Sequence, residues 1–167
     1  MELIVAADGT ARWGGRKMRC AVGRAGIAAD KREGDGATPA GVWPIRNVLY
    51  RADRVDLATA LPAAALDPND GWCDDPADPD YNRKVTLPHR ARCESLWRDD
   101  AVYDLIAVLG YNDAPVAPGA GSAIFLHLAR EDFAPTAGCV ALAREDLLAV
   151  LREARPGDAV RAVAPRS

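Results

Sequence analysis

Ala123-Ile124-Phe125-Leu126-His127-Leu128, followed after a short loop by Thr136-Ala137-Gly138-Cys139-Val140-Ala141-Leu142, is the stretch on which the fold reading turns. The first segment is short, apolar and rich in residues that favour strands. Period-two alternation puts Ile124, Leu126 and Leu128 on one face and Ala123, Phe125 and His127 on the other. The second face, with small and aromatic residues and an imidazole, suits the floor of a cleft. Twelve positions after His127 comes Cys139. Gly138 before it allows a sharp turn and a close backbone approach.

Working outward, other segments share the strand pattern. Glu2 to Ala6, Lys17 to Val22, Gly41 to Tyr50, Tyr103 to Leu109 and Ala159 to Val163 are short, apolar or aromatic, and bounded by Gly, Pro or Asp. Pro44 inside the third predicts a bend or an edge position. Two helices are expected. One covers about Arg92 to Arg98, with Cys93, Leu96 and Trp97 on one face. The other covers about Arg144 to Ala154, with Leu147, Leu148 and Leu151 on one face and Glu145 and Asp146 in its first turn. Strands outnumber helices without regular βαβ alternation, so the predicted fold is mainly β with a helix packed against it. Ala25 to Pro39 and Pro68 to Tyr81 read as long irregular stretches, which in a compact domain tend to be functional.

Composition narrows the function classes. A chain of 167 residues suits one ordinary domain, and 49% hydrophobic with 27% charged residues is a globular composition. A net charge of −3, with acids and bases interspersed, gives no footprint for nucleic acid. No stretch approaches the roughly 20 apolar residues of a membrane-spanning helix. Leu3 to Ala7 is apolar but is bracketed by Glu2 and Asp8, so no secretory leader is legible.

Cys20, Cys73, Cys93 and Cys139 lie far apart with no CxxC pair, a spacing that suggests neither zinc nor a dense disulfide framework. Cys20 alternates with Met18 and Val22 and is expected in the core. Cys73 and Cys93 are open to bridging if the protein is exported. His89 reads as a solvated surface residue, and Lys31 and Lys84 as exposed. Asp74, Asp75, Asp78 and Asp80 lack the EF-hand spacing and read as a solvated acidic loop. Gly34-Asp35-Gly36 lacks the lysine and serine of a phosphate cradle. Trp72, Tyr81, Asn82, Tyr111 and Asn112 are candidate lining for a peptide or sugar groove. No metal is expected.

The chemistry centres on His127 and Cys139. A thiol becomes a strong nucleophile when a base takes its proton, and backbone N–H groups at a sharp turn can receive a developing oxyanion. The run from His127 to Leu142 resembles the signature of the L,D-transpeptidase (YkuD) catalytic domain: a histidine, a loop, then Ser or Thr, any residue, Gly and Cys. Thr136, Gly138 and Cys139 match it. Gly34-Asp35-Gly36-Ala37-Thr38-Pro39-Ala40-Gly41 resembles the family's Thr-Pro-x-Gly turn, with Gly23 in the Val-Gly that precedes it. The resemblance runs from about Leu3 to Val163.

The resemblance implies a curved mixed sheet or barrel-like sandwich with one or two short helices, in a single catalytic domain over residues 1–167. It also implies a cofactor-independent cysteine acyltransferase acting on peptidoglycan stem peptides, in cell-wall biogenesis and cell shape. Cys139 would be the nucleophile and His127 its base and ion-pair partner. Gly138 and Cys139 would lend oxyanion groups, and Thr136 would steady the turn. A periplasmic or cell-envelope location is implied in the same way. Ala137 stands where many members have a second histidine, Ala141 where many have arginine, and the loop before Cys139 is shorter than typical, which predicts a more open site. Water as acceptor, giving an L,D-carboxypeptidase, and a silent cell-wall peptide-binding module are the alternative readings.

Overall fold

In the computed structural model, which describes residues 1–166, the chain forms strands β1 (Glu2–Ala6), β2 (Thr10–Trp13), β3 (Arg16–Ala21), β4 (Ile27–Ala28), β5 (Thr38–Pro39), β6 (Gly41–Tyr50) and β7 (Ala63–Ala65). Then come β8 (Asp70–Cys73), β9 (Lys84–Thr86), β10 (Cys93–Ser95), β11 (Leu105–Leu109), β12 (Phe125–Leu128), β13 (Val140–Leu142), helix α1 (Arg144–Glu153) and β14 (Ala159–Val163). The main sheet runs β11-β12-β13-β3-β2-β1-β14-β6-β7, and β6 also pairs with β11, which closes it into a barrel. Most pairs are antiparallel, but β1–β14, β12–β13 and β6–β7 are parallel. The expected mainly β architecture, a curved mixed sheet with one short helix, is what forms.

Alternation sets the core. In β3, Met18 and Cys20 point inward while Lys17 and Arg19 face solvent. β12 contributes Leu126 and Leu128, preceded by Ile124, to the same core, where they meet Leu3, Val5, Trp13, Leu142 and Val160. The helix docks Leu147, Val150 and Leu151 there, each burial being worth about 1.5–3 kcal/mol. Trp13 Nε1 donates to Glu153 Oε2 at 2.8 Å, tying the β2 end to the last turn of α1.

Pro44 does not lie on an edge. β14 pairs with Gly41 to Pro44 of β6, and β11 and β7 take over along the second half of the strand. The break comes just beyond the proline, where Val108 and Leu109 pair with Asn47 and Ile45, leaving Arg46 as the bulged residue.

A smaller sheet, β10-β8-β9, covers the outer face of β11 and β12. Trp72, Leu96, Tyr103, Ile106 and Phe125 form a second apolar cluster in between, and Cys139 belongs to it. This layer corrects two expectations. The helix over Arg92 to Arg98 is absent: residues 93–95 pair with β8 in the register Cys93↔Cys73, Glu94↔Trp72 and Ser95↔Gly71. So short a helix is marginal by itself, and the sheet edge offered by β8 satisfies the backbone instead. The stretch Pro68 to Tyr81 is not wholly irregular either, since β8 lies inside it.

Candidate active site

β12 and β13 run parallel with His127 opposite Ala141 and Leu126 opposite Val140. One step back along this register, Cys139 lies across from Phe125, so Cys139 and His127 are diagonal neighbours on one face. Such neighbours have Cα atoms roughly 7–8 Å apart, within reach of an imidazole. Both side chains line a cavity of about 320 Å³, together with Arg24, Lys31, Glu94, Arg98, Tyr103 and Arg130. The face is less open than its composition suggests. Phe125 is wholly buried, edge-on to Trp72 at 5.0 Å and to Tyr103 at 5.9 Å, so of this face Ala123, His127 and the neighbouring Cys139 border the cavity and Phe125 does not.

The thiol is held by β12 and the residue leading into it. Cys139 Sγ donates to the Ala123 carbonyl at 3.1 Å and receives the Phe125 N–H at 3.4 Å. The ring of His127 stacks edge-on against Tyr103 at 5.3 Å, and its Nδ1 lies 3.0 Å from the Leu128 carbonyl. A carbonyl only accepts, so Nδ1 carries the proton, and in the neutral ring the lone pair sits on Nε2.

Burial dominates the electrostatics. It pushes the Cys139 thiol up to about 12, and the nearby Glu94 carboxyl adds to the shift; the Phe125 N–H and Lys31 oppose it. Burial also pulls His127 down to about 4, opposed by the Leu128 carbonyl. Both shifts favour a neutral thiol beside a neutral imidazole. Desolvation penalises both charges, which works against the thiolate–imidazolium pair that the resemblance implies.

The turn before Cys139 is fixed by two hydroxyls. Thr136 Oγ1 donates to the Cys139 carbonyl at 2.6 Å and receives the Gly138 N–H at 3.1 Å. Thr38 Oγ1 approaches the same carbonyl at 3.4 Å and receives the Gly23 N–H at 2.8 Å. Gly138 has φ +145°, and a Cβ on it would lie 2.9 Å from the Ala37 carbonyl oxygen, so the position demands glycine. Thr136 already engages the Gly138 N–H, so the N–H groups of Ala137 and Cys139 are the donors left without a protein partner at this turn among the described residues.

The five proposed groove residues stand elsewhere. Trp72, Asn82 and Tyr111 line a separate cavity of about 390 Å³, and Tyr81 is 2% exposed. Their work is support. Asn82 Oδ1 accepts from Trp72 Nε1 and from the Ala123 N–H, both at 3.0 Å, and Nδ2 donates to the carbonyls of Tyr111 and Asn112 at 3.1 and 2.8 Å. Ala123 has φ +53°, an uncommon conformation for alanine, and the Asn82 bond helps hold it with its carbonyl on the thiol. Tyr81 donates to Glu33 at 2.8 Å and accepts the Gly121 N–H at 3.0 Å, bracing the same approach to β12. Asn112 Nδ2 donates to the carbonyls of Ala117 and Gly121 at 3.0 and 2.9 Å, closing that loop.

Both long stretches reach the cavity, through Lys31, Glu33 and Gly34 from one and Asp74 from the other. The Lys31 side chain is 4% exposed and paired with Asp35 at 2.6 Å, contrary to the expectation of exposure. His89 is not solvated: its side chain is 10% exposed and bonded to Asp80 at 3.1 Å. The residues that sequence reasoning missed are Tyr103, Glu94 and the cavity arginines. Tyr103 donates a short hydrogen bond to Glu94 Oε1 while facing His127. Glu94 and Arg98 had been placed on a helix that does not form, so no local signal pointed them at Cys139.

Residues 2–161 match the family described as YkuD, the L,D-transpeptidase catalytic domain. No curated protein matches the chain. Among solved structures, an L,D-transpeptidase from Mycobacterium smegmatis aligns with 97% of the chain at 13% identity and a TM-score of 0.45, and the chain spans 58% of that protein's length. The match over residues 2–161, which includes the turn carrying Cys139 and the strand carrying His127, shows that the chain belongs to the L,D-transpeptidase (YkuD) catalytic-domain family.

Proposed function

We propose that the protein is a cysteine acyltransferase that acts on peptidoglycan stem peptides. The observation that carries this reading is the cavity that Cys139 and His127 both line from one face of β12–β13, which suits them to act as nucleophile and base. As Sγ attacks the substrate carbonyl, its proton passes to His127 Nε2, and the new oxyanion meets the Cys139 N–H. Collapse breaks the amide, the leaving D-amino acid takes the proton from the imidazolium, and a thioester remains. An acceptor amine then attacks the thioester and loses a proton to His127, so base and thiol are regenerated when the new amide forms. Thr136 and Thr38 hold the turn throughout.

A neutral resting pair makes proton transfer part of the attack, so His127 acts as a general base rather than as a standing ion-pair partner. Arg24, Lys31, Arg98 and Arg130 sit with Glu33, Asp74 and Glu94 around the cavity, a mixed charge that suits a peptide bearing both carboxylates and an amine. With Ala141 in place of an arginine, these cations supply the carboxylate contacts. The location that goes with this substrate is the periplasm or cell envelope.

The test incubates the protein with a tetrapeptide stem, with and without a D-amino acid acceptor, and follows products and acyl-enzyme by mass spectrometry. The expected result is a thioester on Cys139, exchange product with the acceptor, and tripeptide released by water through the open site. Cys139→Ala abolishes all three. Tripeptide without exchange product makes it an L,D-carboxypeptidase, and no turnover with retained peptide binding makes it a silent binding module.

A further inference from the structure

A second cluster of reactive side chains lies outside the acyl-transfer chemistry. Cys73 ends β8 and Cys93 begins β10, and the two are direct cross-strand partners. Cys73 directs its N–H to the Arg83 carbonyl and receives the Asn82 N–H on its carbonyl, both at 2.9 Å. Its backbone bonds therefore face the β9 side, and toward β10 it forms a non-hydrogen-bonded pair, the kind in which side chains approach most closely. His89, on the segment between β9 and β10, completes the cluster. The two sulfurs and one ring nitrogen all lie within 4.8 Å of one another.

We propose that Cys73, His89 and Cys93 form a structural zinc site, with a water in the fourth position. Tetrahedral zinc, with Zn–S about 2.3 Å and Zn–N about 2.1 Å, sets its donor atoms roughly 3.5–3.8 Å apart, a spacing inside the 4.8 Å within which these atoms lie. Two thiols and an imidazole are donors that favour zinc over calcium or magnesium. The outer contacts are in place as well. Asp80 accepts from His89 Nε2 at 3.1 Å, the carboxylate–histidine arrangement that orients a metal ligand. The ring's lone pair is then on Nδ1, now facing the Ala91 N–H at 3.2 Å, and this nitrogen would bind the metal.

Neither rival explains the cluster as well. The nearby carboxylates are taken by cations, Asp74 by Arg92 and Asp78 and Asp80 by Arg90, which disfavours an oxygen-only calcium site. A Cys73–Cys93 disulfide would suit the strand pairing but leaves the Asp80-backed imidazole without a purpose. Zinc binds cysteine as thiolate, so uptake would be accompanied by proton release. The consequence reaches the catalytic cavity, because Asp74 and Glu94, each one residue beyond a cysteine, line it. Zinc would pin both against β8 and β10.

The test takes the full chain, treated with a non-chelating reductant and stripped of metal by chelation, and titrates it with zinc and then with cobalt. The expected result is one equivalent bound, a raised melting temperature, and thiolate-to-cobalt charge-transfer absorption. Asp80→Asn should weaken zinc about 10- to 100-fold. Cys93→Ser should remove most of the cobalt band while Cys139→Ser leaves it unchanged. Cys93 and Asp80 are partly exposed, which favours folding of these variants, and if either unfolds the wild-type cobalt spectrum decides. No charge-transfer band in the wild type, or a band lost with Cys139→Ser instead, overturns the site. So does a purified chain whose Cys73 and Cys93 resist alkylation until reduced and which afterwards takes up no zinc.

Discussion

Gly138→Ala tests the turn that presents Cys139. Gly138 sits at φ +145°, and an added Cβ would meet the Ala37 carbonyl oxygen at 2.9 Å and Ile124 Cδ1 at 3.5 Å. The conformational cost for an L-residue is about 1–3 kcal/mol. Forcing a methyl against backbone that cannot rotate away adds about 1–3 kcal/mol. A central value of about 4 kcal/mol lowers the melting temperature by roughly 8–16 °C in a chain of this size. Two controls separate the contributions. Gly157 has φ +99° with nothing within 4 Å, so Gly157→Ala should cost only the conformational part, about 1–2 kcal/mol. Gly15 has ordinary φ and open space, so Gly15→Ala should be neutral or stabilising by up to about 1 kcal/mol. Calorimetry or thermal circular dichroism on the three variants gives the comparison. If Gly138→Ala melts no lower than Gly157→Ala, the contact with Ala37 does not constrain the turn, and the argument for a rigid Cys139 N–H fails with it.

Other outcomes follow from the same geometry. Alkylation of Cys139 should be slow at neutral pH and accelerate steadily toward pH 12, because burial disfavours the thiolate; a rate already saturated at pH 7 would show a standing ion pair instead. His127 is held at about 4 against an ordinary 6.5, so between those values the unfolded chain binds the proton and the folded chain does not. Stability contributed by this group is therefore present above pH 6.5 and lost as pH falls to 4, about 3 kcal/mol in all, and denaturant midpoints for His127→Gln should lack that component. Asn82→Ala orphans the Ala123 N–H and Trp72 Nε1 and should cost about 3 kcal/mol or more, with Cys139 labelling faster as its carbonyl partner loosens; unchanged denaturation and labelling would remove Asn82 from the support of the site.

How much of this was legible locally follows from what each residue depends on. The alternation of Ala123 to Leu128, the inward Met18 and Cys20, and α1 with its Leu147 and Leu151 face were readable because period-two and period-3.6 patterns are written in consecutive residues. The Thr136-Ala137-Gly138-Cys139 turn and His127 were readable because their spacing is a family signature. The tertiary structure alone decided matters that hinge on distant partners. Residues 93–95 became a strand because β8 offered them an edge, and this turned Glu94 toward Cys139 and set Cys93 beside Cys73. Trp72, Tyr81 and Asn82 stand away from the Cys139 cavity because the layer that carries them folds over Phe125, and Trp72 and Asn82 line a separate cavity instead. The protonation of the pair was likewise invisible in sequence, since a residue's identity carries its ordinary pKa but the packing around it sets how much water its charge loses.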